Sequence, residues 1–397
     1  MMVGTFPVTQ LSRLNTPYYY YDMDVLRETL QVLRSESADS NWHVHYAIKA
    51  CATDAILKTI AASGIGADCV SGGEVRVAIA AGFPADKIVF AGVAKTDSEI
   101  LYALEQGIFC FNVESIEELH VISQLASNIG LRARVCLRVN PNVDAHTHAK
   151  ITTGLSENKF GISMRYLPEA VQQCYRLPAV DFMGLHFHIG SQITEMEPFD
   201  ELSKRVNQLV TEVEQLLCVD ESGNSVQARV THINVGGGLG ILYEHPNHFP
   251  IPNFKAYFTT WREGISLRPD QHLHFELGRS IVAQCGNLLT RVLYVKHGEN
   301  KQFAIVDAGM TDLIRPALYG AFHRVENLTH PDAEEQLYDI VGPICESSDV
   351  FVQGYRIAAV QRGDLLAMRS AGAYGEIMAS QYNLRRLPGH VISDELN

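Results

Sequence analysis

His43-Val44-His45-Tyr46-Ala47-Ile48-Lys49-Ala50 is the stretch whose reading decides the fold. Val44, Tyr46 and Ile48 alternate with His43, His45 and Ala47, the period of two expected of a β-strand. Lys49 falls at the carboxyl end of that strand. A lysine is ordinarily solvated, and burying one is costly unless something uses the amine. Most strand-end lysines do nothing chemical, so Lys49 gains weight only from the residues that follow it.

Upstream, the Tyr18–Tyr21 run reads as a strand or extended arm, and Asp22 can cap a helix carrying Leu26, Leu30 and Leu33 at helical spacing. Downstream, strand and helix alternate. Strands are expected at Ala67–Val70, Ile88–Ala91, Ile108–Val113, Arg132–Val139, Asp181–His188, Val230–Val235 and Leu273–Leu277. Between them, Ile56, Leu57 and Ile60 mark a helix that stops near Gly64, and Glu74–Ala81 is a short helix. Thr96 with Glu99, and Ser115 with Glu118, are capping-box signatures. Further helices are expected at Leu167–Tyr175, Leu202–Leu217 and Phe254–Ile265. Alternation of this kind implies a parallel sheet, and about eight such units close into a (β/α)8 TIM barrel. A doubly wound open sheet is the alternative.

After Arg279 the pattern changes. Leu288–Val295, Phe303–Asp307, Tyr338–Gly342 and Arg356–Ala358 read as strands without long helices between them. The expected organisation is a barrel over residues 23–279, with residues 1–22 and 280–397 forming a β-rich barrel or sandwich domain. The polar stretch from Asn140 to Asn158 is too long for an ordinary connection and is expected to be functional.

Bulk properties narrow the class. The chain has 397 residues, 46% of them apolar, and a net charge of −13. That charge argues against nucleic-acid or anionic-membrane partners. No run of 18 apolar residues occurs, and Met1 to Pro7 lacks the blocks of a signal peptide. The eight cysteines show no Cys-x-x-Cys pair, which fits reduced thiols in the cytoplasm.

Several constellations could carry chemistry. Gly236-Gly237-Gly238 follows the seventh strand and Glu276-Leu277-Gly278-Arg279 closes the eighth, the usual phosphate position of such a barrel. Glycines let backbone N–H groups approach phosphate oxygens closely. Glu276 is either a salt-bridged strand end or a carboxylate that keeps a pyridine nitrogen protonated. His186 and His188, in His186-Phe187-His188-Ile189-Gly190-Ser191, share a face. They read as a metal pair or, more readily, as a core histidine plus a ring stacked on a flat cofactor. Cys345-Glu346 lies in a Gly/Pro loop, where a thiol is either a small buried residue or an exposed proton donor. Tyr374 sits in a loop of small residues that allows close backbone approach. Arg315 and Tyr319 pair a carboxylate-binding fork with a phenol, or simply form a surface helix turn. Together with Lys49 these look like the parts of a pyridoxal-phosphate site.

The chain resembles the diaminopimelate decarboxylases, members of the alanine-racemase-like class of pyridoxal-phosphate enzymes, over nearly its whole length. The resemblance rests on Tyr46-Ala47-Ile48-Lys49-Ala50, Asp68-Cys69-Val70-Ser71-Gly72-Gly73-Glu74, Thr152-Thr153-Gly154 through Lys159-Phe160-Gly161, the His186–Gln192 segment, the glycine triplet, Glu276–Arg279, Arg315–Tyr319, Cys345-Glu346-Ser347 and Tyr374. It implies that Lys49 carries the cofactor as a Schiff base and that His188 stacks on its ring. Asp68, Ser191, Gly236, Gly237, Gly238, Glu276, Gly278, Arg279 and Tyr374 are implied to bind the cofactor. Arg279, Arg315, Tyr319, Glu346 and Tyr374 are implied to bind the end of the substrate remote from the reaction, and Cys345 to protonate the carbanion. It also implies homodimers whose sites borrow Cys345 and Glu346 from the partner chain. Two positions depart from the family pattern: Cys51, where Asn is usual, and Leu277, where Pro is frequent.

The implied activity is decarboxylation of meso-diaminopimelate to lysine. Decarboxylases of ornithine, arginine or carboxynorspermidine would share every cofactor residue, but Arg315 and Glu346 suit a substrate with both an amine and a carboxylate at its far end. A metal-dependent barrel hydrolase would use His186 and His188. A non-enzymatic relative would keep Lys49, but a simple cofactor carrier would not need the second domain, and an inactive regulatory homologue would typically lose Cys345 or the glycine loop.

Overall fold

The computed structural model describes residues 5–143 and 159–396. Most of the polar stretch at Asn140–Asn158, and the Thr152-Thr153-Gly154 motif, lie outside the described residues. The chain divides into two compact units: Val32–Gly240 with Asn253–Gly278, and Met1–Gln31 with Ile241–Pro252 and Arg279–Asn397.

The first unit is a closed parallel barrel. Its strands are β1 (Trp42–Ala47), β2 (Gly66–Cys69), β3 (Ile88–Phe90), β4 (Cys110–Val113), β5 (Ala133–Asn140), β6 (Val180–His186), β7 (His232–Asn234) and β8 (His272–Leu277). Each pairs in parallel with the next. The register Leu273↔Trp42 through Leu277↔Tyr46 joins β8 back to β1. That closure excludes the open sheet.

The alternation in the opening stretch separates the two faces of β1. Trp42 packs on Phe258 and Phe275, ring centroids 5.7 and 5.2 Å away, beneath the helix Phe254–Gly264. His43 and His45 take the other parity and face the barrel interior. His45 Nδ1 lies 3.1 Å from the Lys87 carbonyl, His45 Nε2 2.9 Å from His274 Nδ1, and His274 Nε2 2.8 Å from His232 Nδ1. A carbonyl only accepts, so His45 donates from Nδ1, His274 donates to His45, and His232 donates to His274. Burial, the largest cause, lowers the pKa of His43, His45 and His232 to about 4, which keeps the chain of imidazoles neutral near pH 7. His43 and His272 pair alongside at 3.0 Å. These rings border a cavity of about 560 Å³ at the amino-terminal ends of the strands.

Local signals behave as chemistry dictates. Asp22 accepts from the Asp24 and Val25 amides at the start of helix Met23–Glu36. Thr96 and Glu99 form the full reciprocal box. Ser115 accepts from the Glu118 amide, but the Glu118 carboxylate turns to the Glu114 amide and the buried Lys95 ammonium, 2.7 and 2.6 Å away. The second expected box is therefore half made, because one Glu118 oxygen is taken by the Lys95 ammonium and the other by the Glu114 amide. The expected Leu202–Leu217 helix runs instead from Glu197 to Glu214, with a proline in its first turn. Leu217–Val219 then pairs antiparallel with Ser225–Gln227.

In the second unit Tyr18–Tyr21 does add a strand, antiparallel to Gly286–His297 and parallel to Gly389–Ile392. Three of the four tyrosine hydroxyls find internal acceptors: Tyr18 donates to Leu11 O, Tyr19 to Asp312 O and Tyr21 to Glu376 Oε2. That satisfaction is what lets such side chains be buried. Gln302–Val306, Glu335–Val341 and Val350–Ala358 continue the sheet on one side of Gly286–His297, and Leu365–Met368 and Val325–Asn327 on the other. The strand expected at Arg356–Ala358 thus begins at Val350, and the short strands at 325, 365 and 389 carry too little alternation to be read from sequence. No helix among the described residues is long and apolar enough to cross a membrane.

Candidate active site

Lys49 sits just beyond β1, in a 3-10 turn over Ile48–Ala50 rather than on the strand itself. Its Nζ donates to Asp68 Oδ2 at 2.7 Å; the lysine side chain is 37% exposed and the aspartate fully buried. Burial, then the Glu276 charge, raise the Asp68 pKa, and Lys49 opposes them. Asp68 Oδ1 has no hydrogen-bond partner among the described residues. Gly278 packs against the lysine turn: a Cβ there would lie 3.0 Å from Ala47 Cβ and 3.1 Å from Ala50 Cβ.

Glu276, buried on β8, reaches across the barrel. Its Oε1 accepts from Asn112 Nδ2 of β4 at 3.0 Å and from Asn234 Nδ2 of β7 at 2.7 Å. Its Oε2 lies 3.1 Å from His186 Nε2 of β6. Burial opposes ionisation, but the interactions with His186, Lys49 and His188 outweigh it and hold the carboxyl well below the usual carboxylate range. The result is a preorganised negative charge in a dry interior.

His188 lies past the end of β6. Its Nδ1 accepts from the Gly237 amide at 3.3 Å, so a neutral ring carries its proton on Nε2. Burial first, then the Arg138 and Lys49 charges, lower its pKa to about 3. The glycine loop is held tightly. Gly236 has φ +69, and a Cβ on Gly237 would fall 1.8 Å from the Glu276 carbonyl. Ser191 follows, half-buried, beside Gln192 at φ +64.

The remaining expected residues belong to the second unit. Arg279 NH1 donates to Tyr243 Oη at 2.7 Å, and its guanidinium stands 5.0 Å over the Tyr374 ring. Arg315 NH1 donates to His323 Nε2 at 2.8 Å, and its guanidinium stands 4.9 Å over the Tyr243 ring. Tyr319 ends the same short helix, Arg315–Tyr319. Tyr374 holds φ +57, a left-handed conformation uncommon outside glycine. Cys345 and Glu346 are exposed. The Cys345 amide donates to Asn383 Oδ1, and Glu346 Oε1 accepts from Tyr382 Oη at 2.8 Å. Buried Asp349 ties this loop down by accepting from the Ile344 and Met310 amides, each at 2.6 Å. The structure thus brings Lys49, Asp68, His188, Glu276 and the glycines together in the barrel, and Arg279, Arg315 and Tyr374 together in the other unit.

Sequence reasoning missed four groups. Asn112 and Asn234 hold Glu276, and buried Arg138, whose NH1 donates to Glu114 Oε1 at 2.7 Å, helps lower the His188 pKa. The available signal was a polar residue near the carboxyl end of an otherwise apolar strand, as in Phe111-Asn112-Val113 and Ile233-Asn234-Val235.

The family model described as "Pyridoxal-dependent decarboxylase, pyridoxal binding domain" matches residues 24–283. A diaminopimelate decarboxylase of Bacteroides thetaiotaomicron is 57% identical over 396 residues, with all of both chains covered. This chain belongs to the diaminopimelate decarboxylase family. A second member, from Zymomonas mobilis, is 39% identical over 99% of this chain and 91% of its own. The crystal structure of the Helicobacter pylori diaminopimelate decarboxylase complexed with L-lysine superposes with a TM-score of 0.89 at 36% identity, covering 98% of this chain and 94% of that one. The barrel residues fit the pyridoxal phosphate this family uses. Lys49 offers an amine, Asp68 Oδ1 is a buried oxygen without a partner among the described residues, and the glycine loop is a cradle that side chains would fill.

Proposed function

We propose that this diaminopimelate decarboxylase family member converts meso-2,6-diaminopimelate to L-lysine and carbon dioxide, the last step of lysine biosynthesis, as a cytoplasmic homodimer with shared sites. The observation that carries the reading is Glu276. Side chains from three other strands hold one buried carboxylate in place, and the interactions with His186, Lys49 and His188 keep it ionised inside the barrel, which is what a protonated heteroaromatic nitrogen requires opposite it.

Bound pyridoxal phosphate supplies an electron sink for the pair left on the α-carbon when carbon dioxide departs. Every other task falls to side chains. Lys49 anchors the cofactor and Asp68 orients the lysine. His188, kept neutral, presents a flat ring for stacking. Ser191, the Gly236–Gly238 amides and the Gly278–Arg279 turn take the phosphate, with Tyr374. Arg279, Arg315 and Tyr319 bind the carboxylate that stays on the product, and Glu346 its amine. Cys345 gives its Sγ proton to the α-carbon, forming the C–H bond that replaces the broken C–C bond, and regains a proton from solvent.

Product analysis of cofactor-loaded protein with meso-diaminopimelate, ornithine, arginine and carboxynorspermidine tests this. Lysine from diaminopimelate alone is the expected result. Preferred turnover of any other substrate would move the chain to another specificity of the same class.

A further inference from the structure

Tyr243 and His323 have no part in the chemistry above, yet each holds one of the two buried arginines. Tyr243 accepts from Arg279 NH1 at 2.7 Å and lends its ring face to Arg315 at 4.9 Å. His323 accepts from Arg315 NH1 at 2.8 Å and, through Nδ1, donates to the Arg369 carbonyl at 2.9 Å. The two anchors also touch, as a T-shaped ring pair 5.0 Å apart.

The chemistry of these anchors is informative. A buried arginine is ordinarily paired with a carboxylate. Among the described residues no carboxylate pairs with Arg315. Its hydrogen-bond partner is an imidazole whose tautomer is dictated by the Arg369 carbonyl, which can only accept. Burial and the Arg315 charge lower the His323 pKa to about 3, so the lone pair on Nε2 stays available. A neutral acceptor orients a guanidinium without cancelling its charge. A free arginine side chain would also lose rotamer entropy when it bound a ligand; one already anchored has lost it on folding.

We propose that Tyr243 and His323 are positioning residues that hold Arg279 and Arg315 in place and leave their charge for the carboxylate remote from the reacting carbon. The inference rests on the reading of those arginines as the distal carboxylate clamp. It makes Tyr243 and His323 determinants of specificity, because a substrate lacking that carboxylate gains nothing from the arrangement.

The test uses cofactor-loaded enzyme and two ligands that differ by one carboxylate, L-lysine and cadaverine, with affinity read by calorimetry beside KM and kcat for meso-diaminopimelate. Tyr243→Phe removes the acceptor and keeps the ring. His323→Leu removes the acceptor for Arg315, and His323→Gln restores one. Loss of a hydrogen bond to a charged group should weaken L-lysine binding and raise KM roughly ten-fold in Tyr243→Phe and His323→Leu. Cadaverine affinity and kcat should stay within about two-fold of the parent enzyme, and His323→Gln should recover most of the L-lysine affinity. Arg315→Ala separates the two layers. If it retains L-lysine affinity, the clamp reading fails and the proposal with it. If Arg315→Ala loses affinity while Tyr243→Phe and His323→Leu keep it, the clamp stands and the positioning role is overturned. Equal loss of cadaverine and L-lysine would also overturn it, by showing a merely structural effect.

Discussion

Asn234 Nδ2 lies 2.7 Å from Glu276 Oε1, the shortest of the three side-chain contacts that hold this carboxylate. Replacing Asn234 with Leu leaves a buried carboxylate oxygen short of a donor, which should cost about 1–3 kcal/mol of stability. Asn234→Asp should do more, because a second carboxylate at that distance raises the pKa of the pair and weakens the charge meant for the pyridine nitrogen. Urea unfolding and cofactor titration followed by absorbance measure both effects. Native cofactor affinity in Asn234→Asp would show that the charge on Glu276 is not what the cofactor needs.

Lys49 is expected to hold the cofactor. The purified protein should be yellow and should lose that absorbance on borohydride treatment, with the label recovered on the peptide containing Lys49. Lys49→Ala should lower kcat by about 10²-fold or more. A colourless parent protein that takes up no pyridoxal phosphate would refute the assignment.

The histidines inside the barrel predict an acid-side loss of stability. The pKa values of His43, His45 and His232 fall from 6.5 in the free side chain to about 4 in the folded chain. Between those values the unfolded chain binds more protons, so stability is complete above about pH 6.5 and declines as pH falls toward 4. The charged groups acting on these rings are Lys87 and Arg134, which disfavour protonation, and Glu276, which favours it at His45. Glu276 itself loses its contribution only at lower pH, below the ordinary carboxylate range; Glu74, whose pKa burial raises to about 7, opposes the imidazoles between pH 7 and 4.5 but is one group against three. Tm measured from pH 7 to 4.5 should drop, and His232→Asn, which still offers His274 a donor, should flatten the slope. A Tm that is level across this window would contradict the account.

Mixing variants tests the shared site. Lys49→Ala and Cys345→Ala homodimers should each be nearly inactive. After random subunit exchange about half the dimers are mixed, and each mixed dimer has one intact site, so roughly a quarter of sites regain both groups. Activity rising toward that fraction supports sharing. No recovery, with exchange verified by mass, would mean that each chain completes its own site.

Sequence by itself determined the barrel and singled out the candidate reactive side chains. Alternation in Trp42–Ala47 and in the strands after it is a local consequence of the pleat, so element type and order were legible. Lys49, the Gly236–Gly238 loop and Cys345-Glu346 were legible because each departs from what its local position would ordinarily hold. Only the tertiary structure decided which polar residues meet. Asn112, Asn234 and His186 converge on Glu276 from strands separated by tens of residues, and that meeting depends on closure of β8 onto β1. The same holds for His45, His274 and His232, whose shared proton orientation follows from a backbone carbonyl at Lys87. Nothing in the neighbouring sequence marks Tyr243 or His323; the fold sets each against an arginine. Periodicity is written in neighbouring residues; hydrogen-bond partnership depends on register and strand order, which belong to the folded chain.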